Sequence, residues 1–135
     1  MGRLTYFGMP ESKRPLANRL NIVLSSNSTK ADYPDDVVLC RSLSEAMTKL
    51  SDTDLGADVE NIWIVGGNQV YKEAMVSDDC HRVYFTEIMA KFECDAFFPA
   101  IPASFKQVPN DPDIPTEIQE ENGIRYQYQI FEKTL

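Results

Sequence analysis

The chain has 135 residues, of which 43% are hydrophobic and 25% are charged, so it can bury a core and does not have the composition of a disordered chain. Its net charge of −8 and pI of about 4.6 argue against a general nucleic-acid binder, which carries a basic face. Its N-terminus lacks the apolar core of a signal peptide, and no apolar run reaches the length of a membrane span. We therefore expect one domain over residues 1–135, with no membrane partner.

The first half of the chain alternates strand and helix patterns. Apolar runs at Leu20–Ser25 and Val37–Cys40 predict two short strands. The sequence from Ser42 to Glu45 matches a capping box, which predicts that a helix begins there.

The pattern continues past the middle of the chain. Ile62–Val65 predicts a third strand, and Gly66-Gly67 follows it directly, with a helix predicted through Met75. Arg82–Glu87 predicts a fourth strand. Strands that alternate with helices favour crossover connections and a largely parallel sheet, so the fold class is α/β.

The last third of the chain is rich in proline and then changes to a hairpin pattern. Two strand-like runs within Ile118–Glu132 flank Asn122-Gly123, and Asn-Gly is the strongest short signal for a hairpin turn. Arg125–Ile130 alternates polar and apolar residues, as a half-buried strand does.

The cysteines and the single histidine do not suggest a metal site. Cys40, Cys80 and Cys94 show no CxxC spacing, which is typical of reduced thiols rather than of a disulfide framework or a zinc site. His81 follows an acidic turn and is predicted to be a solvent-facing loop residue. Reduced thiols predict a cytoplasmic location, with a mitochondrial location left open.

The glycine pair Gly66-Gly67 lies where a strand becomes a helix, and two interpretations stay open. It is either a plain tight turn or a place where the backbone comes close to a phosphate, because a helix N-terminus offers unpaired N–H groups and partial positive charge. The GxGxxG fingerprint of dinucleotide-binding proteins is absent. Arg3, Thr5, Arg41 and the pair Ser25-Ser26 lie at the ends of predicted elements, where they are either phosphate ligands or solvated surface residues.

Several sequence blocks together resemble dihydrofolate reductase, in its eukaryotic form. The blocks occur in the family's order and cover nearly the whole chain: MGRLTYFGMPESKRPLANRLNIVLSS, RSLSEAM, WIVGGNQVYKEAM, VYFTEI, CDAFFP and YQIFEK. The resemblance implies a mixed, mainly parallel sheet with flanking helices and a C-terminal antiparallel hairpin. It also implies a Gly-Gly peptide bond that is often cis and that lies beside the cofactor.

The function implied by the resemblance is the NADPH-dependent reduction of 7,8-dihydrofolate to 5,6,7,8-tetrahydrofolate by hydride transfer. The implied NADPH-binding residues are Arg3, Leu4, Thr5, Leu24, Ser25, Ser26, Arg41, Ser42, Gly66, Gly67, Asn68, Gln69 and Val70. The implied folate-binding residues are Met9, Pro10, Leu16, Arg19, Val65, Tyr71 and Thr86, with Arg19 as a bidentate donor to the folate carboxylate. Leu4 and Ser26 depart from residues that are often basic in the family.

The resemblance begins at a methionine that lies in mid-chain in the family. We therefore expect the N-terminal quarter of the usual chain to be absent here, together with central strands and the acidic residue that assists protonation. Glu11 and Glu73 do not correspond to that residue, so no catalytic residue is assigned. The segment Ile62–Val65 is expected to be bare on both sides, with marginal stability and self-association through exposed strand edges as consequences.

Two alternatives to an active reductase stay open. One is a non-catalytic isoform or fragment that retains part of the NADPH-binding surface. The other is an unrelated nucleotide-binding α/β domain, which the ordered set of matching blocks disfavours.

Overall fold

A computed structural model describes residues 1–90 and 98–134 of the chain. The chain divides into two compact units, Met1–Ala74 and Met75–Leu135. The helices and strands are α1 (Arg3–Gly8), β1 (Asn21–Leu24), β2 (Val37–Cys40), α2 (Leu43–Asp52), α3 (Asn68–Met75), β3 (Arg82–Ile88), β4 (Phe105–Val108), β5 (Gln119–Glu121) and β6 (Ile124–Lys133), and short 3₁₀ turns occur at Glu11–Lys13, Lys30–Asp32 and Asp54–Gly56.

The first unit contains a two-stranded parallel sheet, which confirms the first two predicted strands. In it Asn21 lies opposite Val37, and Leu24 lies opposite Cys40. The N-terminal residues run along the other side of β1, where the Leu24 N–H donates to the Met1 carbonyl at 2.8 Å. A core cluster that includes Tyr6, Val23, Tyr33 and Val37 packs α1 and a following loop against this sheet.

The predicted helix start at Ser42 is confirmed, but only half of the predicted capping box forms. The Ser42 hydroxyl accepts a hydrogen bond from the Glu45 N–H at 3.1 Å. The Glu45 carboxylate reaches one residue further back than predicted and accepts from the Arg41 N–H at 2.6 Å instead of from Ser42. The carboxylate still satisfies a backbone donor near the positive end of the helix, so its stabilising effect is similar.

The predicted strand at Ile62–Val65 is wrong, because this segment belongs to no strand among the described residues. A strand needs a hydrogen-bonded neighbour, and an apolar run in the sequence does not reveal whether one is present. The side chains of Ile62 and Val65 are 47% and 41% exposed. The peptide bond between Gly66 and Gly67 is cis, and α3 follows at Asn68 and ends at Met75 as predicted.

The second unit is an antiparallel sheet in the order β3-β6-β4, with β5 also paired to β6. The register of β3 and β6 runs from Arg82 opposite Glu132 to Ile88 opposite Tyr126, so the predicted fourth strand is confirmed. The predicted hairpin is confirmed as well. Its turn residues Asn122 and Gly123 have φ values of 52° and 78°, the positive signs that a type I′ turn requires.

The two units account for the predicted α/β fold class, although the parallel part is small. Among the described residues one strand pair is parallel and three pairs are antiparallel. The strand–helix alternation predicted more parallel pairing, and the missing contribution is that of Ile62–Val65. Most of the CDAFFP block, which spans Cys94–Pro99, lies outside the described residues.

Candidate functional site

The start of α1 lies directly against the Gly66-Gly67 turn. The Gly2 N–H donates to the Gly66 carbonyl at 2.9 Å. Thr5 Oγ1 would lie 3.2 Å from a Cβ added at Gly66 and 3.4 Å from one added at Gly67. Gly66 is also buried with φ +123°, a conformation that L side chains rarely adopt. The glycines therefore allow the turn to pack against α1.

Two helix starts meet at this turn, and together they present backbone donors. In α1 the Tyr6 N–H donates to the Gly2 carbonyl at 3.1 Å, and in α3 the Tyr71 N–H donates to the Gly67 carbonyl at 3.0 Å. The amides that precede these first helical bonds have no acceptor within their own helix. They belong to Arg3, Leu4, Thr5, Asn68, Gln69 and Val70. Helix starts attract anions, because their unpaired N–H groups carry partial positive charge.

The ends of β1 and β2 lie next to the start of α1. Gly2 forms a parallel bridge with Leu24, and the Ser25 N–H donates to the Cys40 carbonyl at 2.9 Å. The Arg41 guanidinium then turns back onto the loop after β1, where its Nη1 donates to the carbonyls of Ser25 at 3.1 Å and Ser28 at 2.6 Å. The predicted cofactor residues Leu24, Ser25 and Arg41 are thus close to one another, beside the start of α1.

Three of the predicted folate residues and one predicted cofactor residue line a single cavity of about 500 Å³ in the first unit. They are Leu16, Arg19, Val65 and Leu24. The wall opposite β1 comes from α2 and from the segment 58–65. The cavity is therefore bordered mainly by apolar side chains, with one guanidinium on Arg19 and two carboxylates on Asp58 and Glu60 among its lining residues.

Asn21 shapes this cavity, and sequence analysis missed it. Its Oδ1 accepts from the Leu16 N–H, and its Nδ2 donates to the Leu16 carbonyl, both at 2.9 Å. Nδ2 also donates to the Arg19 carbonyl at 3.1 Å, and the side chain is only 4% exposed. A buried amide that closes a loop in this way depends on loop carbonyls that no sequence motif identifies.

Arg14 was missed for a similar reason. Its guanidinium donates to the Met9 carbonyl at 2.8 Å and lies 5.2 Å from the centre of the Phe7 ring. It thus holds the end of α1, where the predicted folate residues Met9 and Pro10 follow. A cation over an aromatic ring at this distance is stabilising.

The remaining predicted folate residues are Tyr71 and Thr86. The Tyr71 hydroxyl would lie 3.6 Å from a Cβ at Gly66, and burial raises the pKa of this phenol above its usual value. Thr86 lies on β3 of the second unit, where it is exposed and pairs with Tyr128.

In the part of the chain that the structure describes, the other reactive side chains do not group as metal ligands. No group of three or more His, Cys, Asp or Glu residues that could hold a metal ion occurs in residues 1–90 and 98–134. His81 is exposed as predicted, with its Nε2 at 3.6 Å from the Glu132 carboxylate. Cys40 and Cys80 are free thiols, and Cys94 lies outside the described part. No helix in the described ranges is long and apolar enough to cross a membrane.

Comparison with known proteins identifies the class to which this α/β arrangement belongs. The sequence profile of the dihydrofolate reductases matches residues 1–133. A dihydrofolate reductase from Aedes albopictus is 60% identical over 98% of this chain and 72% of its own length, and the one from Bos taurus is 44% identical over 98% of this chain and 71% of its own length. The solved structure of Schistosoma mansoni dihydrofolate reductase superposes with a TM-score of 0.85 at 34% identity, covering 99% of this chain and 73% of that one.

The chain therefore belongs to the dihydrofolate reductase family, whose members are NADP-dependent oxidoreductases of folate metabolism. The resemblance that the sequence blocks indicated is confirmed, as is the α/β fold class.

Proposed function

We propose that this chain binds NADPH and dihydrofolate and serves the NADPH-dependent reduction of 7,8-dihydrofolate to 5,6,7,8-tetrahydrofolate. Family membership supports the proposal. The single observation that carries it is the hydrogen bond of 2.9 Å from the Gly2 N–H to the Gly66 carbonyl, which joins the start of α1 to the Gly-Gly turn. This contact assembles two helix starts into one electropositive surface at the edge where β1 ends.

The residues at this edge fit a dinucleotide with three phosphate groups. The leading amides of α1 and α3, with the exposed Arg3 side chain, suit the pyrophosphate. We assign Gly66–Val70 and Arg3–Thr5 to that group. We assign the adenosine end of NADPH, including its 2′-phosphate, to Leu24, Ser25, Ser26, Arg41 and Ser42. When bound, NADPH supplies the hydride, and this chain's residues bind and orient it.

The folate side follows from the cavity. Leu16 and Val65 offer apolar contact, and Arg19 is exposed with its Nε already donating to the Ala17 carbonyl at 2.9 Å. Its two terminal nitrogens suit a pair of parallel hydrogen bonds to a carboxylate. We assign Met9, Pro10 and Tyr71 to the remaining folate contacts of the first unit, and Thr86 stays a prediction from the family resemblance. No proton donor is assigned among the described residues, since the acidic side chains of the cavity, Asp58 and Glu60, are exposed.

A turnover assay with the purified chain tests this proposal. We would follow the loss of NADPH absorbance with dihydrofolate present, and titrate each ligand separately by fluorescence. We expect NADPH to bind and Arg19→Ala to weaken folate binding selectively, with Arg125→Ala, an exposed arginine on β6, as the matched control. If the unaltered chain binds neither ligand, the proposal is wrong.

A second candidate function is NADPH binding without turnover. The lack of an assigned proton donor in the described residues favours it, because general acid catalysis contributes roughly 10²–10⁴-fold in rate. Under this alternative the chain binds NADPH with normal affinity and shows no reduction above the uncatalysed rate. Measurable turnover by the purified chain would exclude it.

We also propose self-association through the exposed apolar segment 62–65 and a cytoplasmic location. Ile62 and Val65 expose large apolar side chains beside a cavity, and such patches promote association. Light scattering after size-exclusion chromatography should show a mass above that of one chain, which Ile62→Lys reduces. Val76→Lys is the matched control, because Val76 is 72% exposed and lies outside this segment. A monomer with the unaltered sequence would contradict self-association, and fractionation of the cells tests the compartment.

A further inference from the structure

The loop after β1 contains Ser25, Ser26 and Ser28. Hydrogen bonds within the loop join Ser25 to Ser28 and leave Ser26 in a different environment. Ser25 is 8% exposed, and its Oγ lies 2.8 Å from the Oγ of Ser28, which is itself 7% exposed. The Ser28 N–H also donates to Ser25 Oγ at 3.1 Å. Ser26 is exposed, and no side-chain hydrogen bond involves it in the described part of the chain. The Ser26 hydroxyl is therefore the one that faces solvent, while Ser25 and Ser28 build the loop.

Tyr33 is the link between this loop and the core. Its hydroxyl donates to Ser28 Oγ at 3.0 Å, and its ring is 6% exposed. The same ring packs against Tyr6 and Phe7 of α1, with centroid distances of 5.4 Å to each. One side chain thus contacts both the helix that begins with Arg3 and the loop that carries Ser26.

Arg41 holds the loop from the other side through its two hydrogen bonds to the Ser25 and Ser28 carbonyls. The loop backbone is fixed at these carbonyls, whereas the Ser28 hydroxyl is fixed only through Ser25 and Tyr33. The position of Ser26 relative to Arg41 depends on both attachments. A phosphate bound between a hydroxyl and a guanidinium is sensitive to such spacing, because charge-assisted hydrogen bonds require short, well-aligned contacts.

We propose that Tyr33 is a positioning residue that sets the preference for a cofactor with a 2′-phosphate over the same cofactor without it. It does so by holding the Ser25–Ser28 loop, through Ser28, at the distance from Arg41 that a phosphate requires. This inference rests on the proposed binding of NADPH. It concerns discrimination between NADPH and NADH, to which Tyr33 contributes without touching the cofactor.

Tyr33→Phe tests the role of the hydroxyl alone. The ring and its packing on Tyr6 and Phe7 remain, and Ser28 Oγ keeps Ser25 as a partner, so no buried group loses all of its hydrogen bonds. Dissociation constants for NADPH and NADH would be measured by fluorescence titration. We expect the affinity for NADPH to fall about fivefold, which corresponds to about 1 kcal/mol of binding free energy, and the affinity for NADH to stay unchanged.

Tyr6→Phe is the matched control. It removes a tyrosine hydroxyl from the same core cluster, and no hydrogen bond among the described residues joins that hydroxyl to the Ser25–Ser28 loop. Its ratio of NADPH to NADH affinity should equal that of the unaltered chain. Ser28→Ala removes the acceptor and should reproduce the change in ratio, so it serves as the test if circular dichroism shows that Tyr33→Phe is unfolded.

The outcomes separate the two proposals. If the unaltered chain binds NADPH but Tyr33→Phe and Ser28→Ala leave the affinity ratio unchanged, or lower both affinities equally, the role of Tyr33 is wrong and NADPH binding stands. If the unaltered chain binds neither dinucleotide, the proposed function fails and the role of Tyr33 fails with it.

Discussion

The two units of the chain satisfy their backbones in different ways. In the second unit β6 pairs with three other strands, and its register with β3 runs without interruption from Arg82 to Ile88. In the first unit the only strand pair among the described residues is the one between β1 and β2, and both of these strands are short. Every predicted site residue except Thr86 lies in the first unit. The proposed binding groups thus concentrate where helix and strand ends leave amides available, whereas the second unit is a continuous ladder.

The largest expected effect is a loss of stability in the ladder. Ile130 is 1% exposed on β6, opposite Tyr84 and Val108. Ile130→Ala should lower the free energy of unfolding by about 2–5 kcal/mol, because a buried cavity remains. Urea titration followed by circular dichroism measures it. Ile118→Ala removes the same atoms at a residue that is 52% exposed, and should change stability by less than about 0.5 kcal/mol. Equal effects at the two positions would mean that β6 is not the core of this unit.

Gly66→Ala should lower both the stability of the first unit and its affinity for NADPH. Its φ of +123° and the nearby Thr5 Oγ1 both oppose a side chain, so we expect a cost of about 1–3 kcal/mol and a loss of NADPH binding. Gly8→Ala is the control, since a Cβ there meets nothing within 4 Å. It should leave both properties unchanged. Normal NADPH affinity in Gly66→Ala would show that the packing of the turn on α1 does not shape the site.

A smaller effect is expected at the start of α2. Ser42→Ala removes the hydroxyl that accepts from the Glu45 N–H, which should cost about 1 kcal/mol in a denaturation experiment. Ser44→Ala changes the same residue type two positions later, on an exposed helical position, and should be neutral or slightly stabilising. A reversed order of the two variants would contradict the assigned cap.

The smallest effect is a dependence of stability on alkaline pH. Burial raises the pKa of the Cys40 thiol, so the folded chain keeps this proton to a higher pH than the unfolded chain does. The resulting stability is fully present below the usual thiol pKa of 9.0 and is lost as the pH rises through the folded value. In Cys40→Ala, the urea concentration at the midpoint of unfolding should therefore fall less steeply as the pH rises above 9.0. Burial also raises the pKa of the half-buried Cys80 thiol, so Cys80→Ala should flatten the decline as well and serves as the comparison. An unchanged slope in Cys40→Ala would refute the assignment.

The sequence predicted those features that depend on local signals. The strands β1 and β2, the helix start at Ser42 and the turn at Asn122-Gly123 each follow from a short pattern, and each is present. The segment 62–65 was mispredicted because its apolar run is also a local signal, whereas pairing depends on a neighbour. Within the proposed site, the glycines and hydroxyls are assigned only from the family resemblance, and these assignments remain predictions. The roles of Asn21 and Arg14 could not be predicted, since each donates to backbone carbonyls that no sequence motif identifies.

The two hydrogen bonds between the Asn21 side chain and the backbone of Leu16 have a consequence for sequence variation. One side-chain amide satisfies both the N–H and the carbonyl of Leu16, which is the pairing that a neighbouring strand would otherwise provide. The base of the loop is thereby closed independently of its tip. Ala17 is exposed there and is free to diverge, while Asn18, with φ 60°, accepts few replacements besides glycine and aspartate. Substitution of Ala17 should therefore leave Leu16 and Arg19, which both line the cavity, in place.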